Sequence, residues 1–107
     1  MALRDQPYIE YNFKNWESTS RYSYSEPPQN PGVYVFAKPE IIDGKTKHQI
    51  LYIGSTKNIF KRYAGHEKRS IIKKNEGFYR FYFMECDDYI QKEKELIKKL
   101  QPKYNII

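Results

Sequence analysis

Two runs of β-branched and aromatic residues, Val33–Ala37 and Gln49–Gly54, bracket an Asp43-Gly44 pair, and this arrangement narrows what the first half of the chain can fold into. Both runs have the length of ordinary strands, and an Asp-Gly step supplies the positive φ values that a tight reversal needs. The expected element is an antiparallel hairpin with a long connection. Period-two alternation puts Val33 and Val35 on one face of their strand and Tyr34 and Phe36 on the other, and puts Ile50 and Tyr52 together on one face of the partner strand, so that two tyrosines can meet on one side.

The rest of the chain supplies elements that can cover such a hairpin. Asn58 is placed to cap a helix running to about Lys68, with a break at Gly65 and a continuation through Ile71 and Ile72. Phe78–Met84 reads as a third strand, and Asp87 or Asp88 caps a last helix that stops before Pro102, leaving residues 103–107 as an extended tail. The order β-β-α-β-α predicts an α+β fold, a small antiparallel three-stranded sheet flanked by helices. Residues 1–30 read as an N-terminal arm ended by the turn-rich stretch Pro27–Gly32, with residues 31–107 as the domain. The arm's aromatics, among them Tyr8, Tyr11, Phe13, Trp16, Tyr22 and Tyr24, follow no period. Packing on the domain is their expected role, with direct contact to DNA as the other reading.

Composition bounds the partners. The 107 residues suffice for one core, and no stretch approaches the ~20 apolar residues of a membrane-spanning helix. The first residues lack the basic region and apolar run of a signal peptide, and the single Cys86 cannot form an internal disulfide or a cysteine-based zinc site. Cytoplasmic residence is therefore expected, with Cys86 a core thiol. A net charge of +6, a pI near 9.3 and eleven tyrosines favour a polyanionic partner, since cations pair with phosphates and phenol rings stack on bases or donate to phosphates.

Three placements break the ordinary patterns. In the last helix, Ile90, Leu96, Ile97 and Leu100 define an apolar face and Glu93 falls inside it, whereas Glu95 points away. A carboxylate there is an ion-pair partner, a snorkelling edge residue or a metal ligand. Arg62 and His66, four residues apart, share one side of the preceding helix and form either a solvated basic face or a phosphate-handling pair. The third is the tyrosine pair of the hairpin, which alone carries no functional meaning.

Taken together and in order, Gly32-Val33-Tyr34, Tyr52-Ile53-Gly54 followed by Ser55–Arg62, then His66, Glu93 and the closing Gln101-Pro102-Lys103-Tyr104-Asn105-Ile106 resemble the GIY-YIG nuclease superfamily over residues 31–107. The resemblance implies a metal-dependent DNA endonuclease that hydrolyses phosphodiester bonds. Tyr34, Tyr52, Arg62, His66 and Glu93 would be catalytic, Lys57, Lys61 and Asn105 would serve substrate, and Glu93 would hold Mg²⁺ or Mn²⁺. Arg62 would neutralise charge on the phosphorane, and Tyr34 or His66 would take the proton of the attacking water, with Tyr52 orienting that water or touching phosphate. Asn105 would hold the chain end near the site, or serve simply as a turn residue. The alternative is a nucleic-acid-binding module with the same fold and no cleavage, against which stands the presence of every polar site residue.

Two departures from the family pattern bear on substrate. The connection between the first two signatures is longer than usual, the excess falling in Lys38–His48, so an elongated hairpin is expected with His48 as a solvated loop residue. No C-terminal specificity domain follows the module, unlike family members that owe their target choice to one, which argues against sequence-specific cutting unless the arm or an oligomer supplies it.

Overall fold

The computed structural model describes residues 8–11, 13, 16–19, 27–66 and 68–105; the expected roles of Tyr22 and Tyr24 and the last two residues of the tail lie outside these. The elements are β1 (Glu17–Thr19), β2 (Gly32–Ile42), β3 (Lys45–Thr56), α1 (Ile59–Ala64), α2 (Lys68–Glu76), β4 (Arg80–Glu85) and α3 (Tyr89–Leu100). All sheet pairings are antiparallel, in the order β1-β4-β2-β3. The architecture is α+β with helices against an antiparallel sheet, as the element order predicts. The sheet has four strands rather than three, because the polar segment Glu17-Ser18-Thr19 pairs along the edge of β4 without any apolar alternation to announce it.

β2 and β3 run far past their apolar centres. Asp43 and Gly44 both adopt positive φ, 53° and 77°, and form a two-residue reversal whose twist matches the flanking strands. The long connection is thus strand, and Lys38–Ile42 pairs with Lys45–Gln49 residue by residue. His48 is correspondingly no solvated loop residue: it is 6% exposed, and its backbone bonds Ile9 in both directions at 2.8 and 2.7 Å. Its Nε2 lies 3.2 Å from the Tyr82 hydroxyl, and its Nδ1 is buried with no hydrogen-bond partner among the described residues.

A bulge corrects the expected facing of β3. Phe36 opposes Tyr52 but Ala37 opposes Ile50, so Leu51 has no partner on β2 and the alternation is displaced by one residue. Ile50 joins the core on one face of the sheet, whereas Leu51 and Tyr52 join the other, where Tyr34 lies. The tyrosines meet because of this slip.

Both faces of the sheet are covered, which explains strands that are nearly continuous apolar runs. On one face Val33, Val35, Ala37, Ile50, Ile53 and Tyr82 pack against Leu96 and Leu100 of α3, with Ile9, Tyr11, Phe13 and Trp16 of the arm alongside. On the other, Tyr34, Phe36, Leu51, Phe81 and Phe83 pack against Ile59, Ile72 and Tyr104. Each fully buried side chain of this size contributes roughly 1.5–3 kcal/mol of transfer free energy.

The helix ends follow from local chemistry. The Asn58 side chain accepts from the Lys61 amide at 3.0 Å, and Gly65 ends α1 after a turn and a half. Asp88 occupies the cap position of α3 without a side-chain capping bond. Ile90 does not join the inward face; it is 56% exposed on the flank of the first turn, and Tyr89 packs inward in its place. The tail is not extended but turns at residues 103–105, where the Lys103 and Tyr104 amides bond the Ile50 and Leu51 carbonyls at 3.2 and 2.7 Å. The Lys103 ammonium and Tyr104 hydroxyl reach Glu76 of α2 at 3.0 and 2.7 Å. Burial opposes the Glu76 charge, but these bonds outweigh it and hold the carboxyl below its ordinary range.

Candidate active site

Tyr34 is the centre of the arrangement. It is 1% exposed, paired with Gly54 across the hairpin, and its ring lies directly over that residue's backbone. A Cβ at position 54 would overlap the phenol oxygen and Cζ, so glycine there is what lets the ring cross β3. The Tyr52 ring lies 6.4 Å from that of Tyr34 at an interplanar angle of 29°.

α1 and the turn after it deliver two donors to this phenol, the Arg62 guanidinium and the His66 imidazole. Arg62 Nε donates to Tyr34 Oη at 3.3 Å, and His66 Nε2 lies 2.8 Å from the same oxygen. The Lys68 amide donates to His66 Nδ1 at 3.0 Å. A backbone amide can only donate, so Nδ1 of the neutral ring is the acceptor and Nε2 carries the hydrogen pointed at Tyr34. The imidazole is buried and packs edge-on to Tyr34, Phe36 and Tyr52 at 5.3, 5.3 and 5.0 Å. The phenol oxygen therefore accepts two hydrogen bonds. Burial pushes the Tyr34 phenol well above its ordinary value; the Arg62 bond and charge pull it down in part, while Tyr52 and Glu93 push it up.

Glu93 arrives from the opposite layer. It is half-buried on α3, and its Oε2 accepts from Ser55 Oγ at 2.5 Å. Val33 pairs with Ser55 and Tyr34 with Gly54, so Glu93 stands at the same end of the hairpin as the phenol, and its charge is felt there. Glu95, by contrast, is exposed and bonded to Gln91 at 3.1 Å.

Of the remaining expected residues, Lys57 is exposed in the bend between β3 and α1, and Lys61 is exposed on α1. Asn105 uses both ends of its amide on Ile53, accepting from its N–H at 2.8 Å and donating to its carbonyl at 2.9 Å, which ties the tail to β3 beside Tyr52. Sequence reasoning missed Ser55, which lies within the quoted signature and donates its hydroxyl to Glu93. Alternation supplies the signal, since Ser55 shares with Ile53 the face that α3 covers.

Among the described residues no three His, Cys, Asp or Glu side chains come together as a metal cluster. What the site offers is one carboxylate beside a hydroxyl, hard oxygen donors that suit an ion keeping most of its own waters, such as Mg²⁺ or Mn²⁺, and ill suit a tetrahedral zinc site. No helix among the described residues is long and apolar enough to cross a membrane.

No family model matches the chain, and no solved structure matches it. It is similar to UvrABC system protein C of Methanococcus maripaludis, 31% identical over 90 residues that cover 77% of this chain and 16% of that protein. It is 34% identical over 88 residues to UvrABC system protein C of Flavobacterium psychrophilum and 33% identical over 88 residues to that of Flavobacterium johnsoniae, covering 75% of this chain and 14% of each relative. The matched region thus spans only 14–16% of the length of these curated relatives.

Proposed function

We propose, from a chain that resembles one part of UvrABC system protein C and carries the ordered GIY-YIG signatures, that this protein is a metal-dependent endonuclease hydrolysing phosphodiester bonds of DNA. The observation that carries the reading is the convergence of Tyr34, Tyr52, Arg62 and His66 from one layer and Glu93 from the other at one end of the hairpin.

Phosphodiester hydrolysis needs a nucleophilic water relieved of its proton, compensation for charge gathering on the phosphorane, and help for the leaving oxygen. The Arg62 guanidinium suits the second task, since its fork of donors serves both a phenol oxygen and non-bridging phosphate oxygens. Tyr34 suits the first. In the tautomer set by Lys68 neither His66 nitrogen is open to receive a proton, and the donors onto Tyr34 Oη work against the burial that disfavours its phenolate. His66 is then the group that holds the phenol oxygen in place, and Tyr52 orients the water or the phosphate alongside. Glu93, with Ser55 beside it, would hold Mg²⁺ or Mn²⁺, which when bound supplies Lewis acidity at the scissile phosphate. Lys57 and Lys61 offer exposed cations to the flanking backbone phosphates.

The test is nicking of supercoiled plasmid in Mg²⁺ by the wild type and by Arg62→Ala. The wild type should relax the plasmid, and Arg62→Ala should retain its fold and lose roughly 10²-fold or more in rate, with Arg62→Lys recovering little because it lacks the fork. Wild-type rates in a folded Arg62→Ala protein would remove the arginine from the chemistry.

A further inference from the structure

A groove of about 340 Å³ lies on the sheet face opposite Tyr34, between α3 and the arm. Tyr11 and Trp16 line its arm side, and Met84 and Leu96 give it an apolar base continuous with the core. Lys92 and Lys99 line its α3 side. At ~100° per residue, Lys92, Glu95, Leu96 and Lys99 fall within about 100° of arc, and Glu93 falls on the other flank of Leu96. The groove and the candidate active site therefore occupy opposite flanks of one helix.

The aromatic side is built to stay in place. Phe13 stacks on Tyr82 of the sheet at 3.9 Å and 11°, and Trp16 and Tyr11 pack edge-on to Phe13 at 5.6 and 4.6 Å. Trp16 is only half-buried by these contacts. A partly buried indole on a fixed aromatic stack, facing two lysines one heptad and about 10 Å apart on a helix, matches the chemistry of a nucleotide strand: a base for the ring, phosphates for the ammoniums. Glu95, the third polar group, has its carboxylate bonded to Gln91 at 3.1 Å and offers acceptor capacity to base N–H groups.

We infer that this groove binds an unpaired nucleotide of a single-stranded DNA segment, the base against Trp16 and the backbone on Lys92 and Lys99. The inference rests on DNA as the partner of this chain and not on cleavage. A duplex keeps its bases stacked within the helix and cannot present one to the indole without unpairing, so the groove selects DNA with an unpaired stretch.

The chain contains one tryptophan among eleven tyrosines, so emission excited at the red edge of the indole absorption, where phenols do not absorb, reports on this groove alone. The full chain is titrated in EDTA, where metal-dependent cutting is silent, with dodecathymidylate, with an abasic strand of equal length and with a blunt duplex, binding being followed independently by anisotropy of an end label. Dodecathymidylate should quench the emission by about half or more and saturably, and the abasic strand and the duplex should bind with little quenching. Lys92→Glu/Lys99→Glu should weaken dodecathymidylate binding roughly tenfold or more while leaving the melting temperature unchanged. Unaltered emission at saturating dodecathymidylate, equal quenching by the abasic strand or the duplex, or wild-type affinity in the double variant would each overturn the assignment. Failure of the wild type to nick plasmid in Mg²⁺ would overturn the cleavage reading and leave this titration as it stands.

Discussion

Gly54 and Tyr34 form a single unit, since the phenol occupies the space that any side chain at position 54 would need. Gly54→Ala should force the ring off β3, breaking its bonds to Arg62 and His66; we expect a loss of about 1–3 kcal/mol in stability by thermal melt and roughly 10²-fold or more in cleavage rate. A variant that melted and cut as the wild type does would show that the ring has another resting place. The phenol also dictates a pH profile. Burial raises its pKa above the ordinary 10, so the active phenolate fraction grows with pH and log kcat should climb through neutrality and on past about pH 9. A limb that flattens near the ordinary imidazole value of about 6.5 would move the base from Tyr34 to His66. At this scale the candidate residues could be nominated from the sequence, because a carboxylate inside an apolar stripe and an Arg/His spacing of four are visible as exceptions, although α1 ends at Ala64 and His66 reaches Tyr34 from the turn beyond it rather than from the same helix side. Their relations could not: the tautomer of His66 depends on one backbone amide, that of Lys68, and the value of Ser55 on α3 crossing above it.

Among the elements, the elongated hairpin departs most from a simple strand-loop-strand reading. Asp43-Gly44 marked its reversal in the sequence, but the polar stretch on either side gave no sign of being strand, because its pairing is satisfied by β2, β3 and the arm rather than by a buried face. The bulge at Leu51 was equally hidden, since it depends on the register of two strands and not on either alone. His48 is where these features meet, and it yields a measurable consequence. Burial, and secondarily Arg80, lowers its pKa below the ordinary 6.5, with Tyr82 and Phe13 as its ring neighbours. The unfolded chain thus binds the proton more readily than the folded one, so stability is fully present above about pH 6.5 and is lost as pH falls below it toward the folded value. Glu76, whose pKa is lowered from 4.5, adds its own loss only further into acid. Melting temperatures of the wild type between about pH 7 and 5 should fall, and His48→Phe should flatten that slope. An unchanged slope in a folded His48→Phe protein would assign the acid sensitivity elsewhere.

For the whole molecule, the α+β class followed from the order of its elements, and the candidate site from the order of its signatures. The burial of both sheet faces did not, because Tyr11, Phe13 and Trp16 follow no period and show their place only against Tyr82 and α3. The two layers have different tasks in the proposed function. α1 brings Arg62 and, past its end, His66 to the phenol from one side, while α3 brings Glu93 from the other, so catalysis depends on the sheet holding both layers in register. That dependence is tested most directly at Glu93. Glu93→Gln keeps the side chain's shape and leaves an oxygen able to accept from Ser55, so the fold should survive and the melting temperature should stay close to that of the wild type. What it removes is the charge required to hold a divalent ion among oxygen ligands. Nicking of supercoiled plasmid should therefore require Mg²⁺ or Mn²⁺ in the wild type and vanish in Glu93→Gln, with DNA binding in EDTA equal in the two proteins; wild-type cutting by Glu93→Gln, or cutting by the wild type that persists in EDTA, would contradict the account.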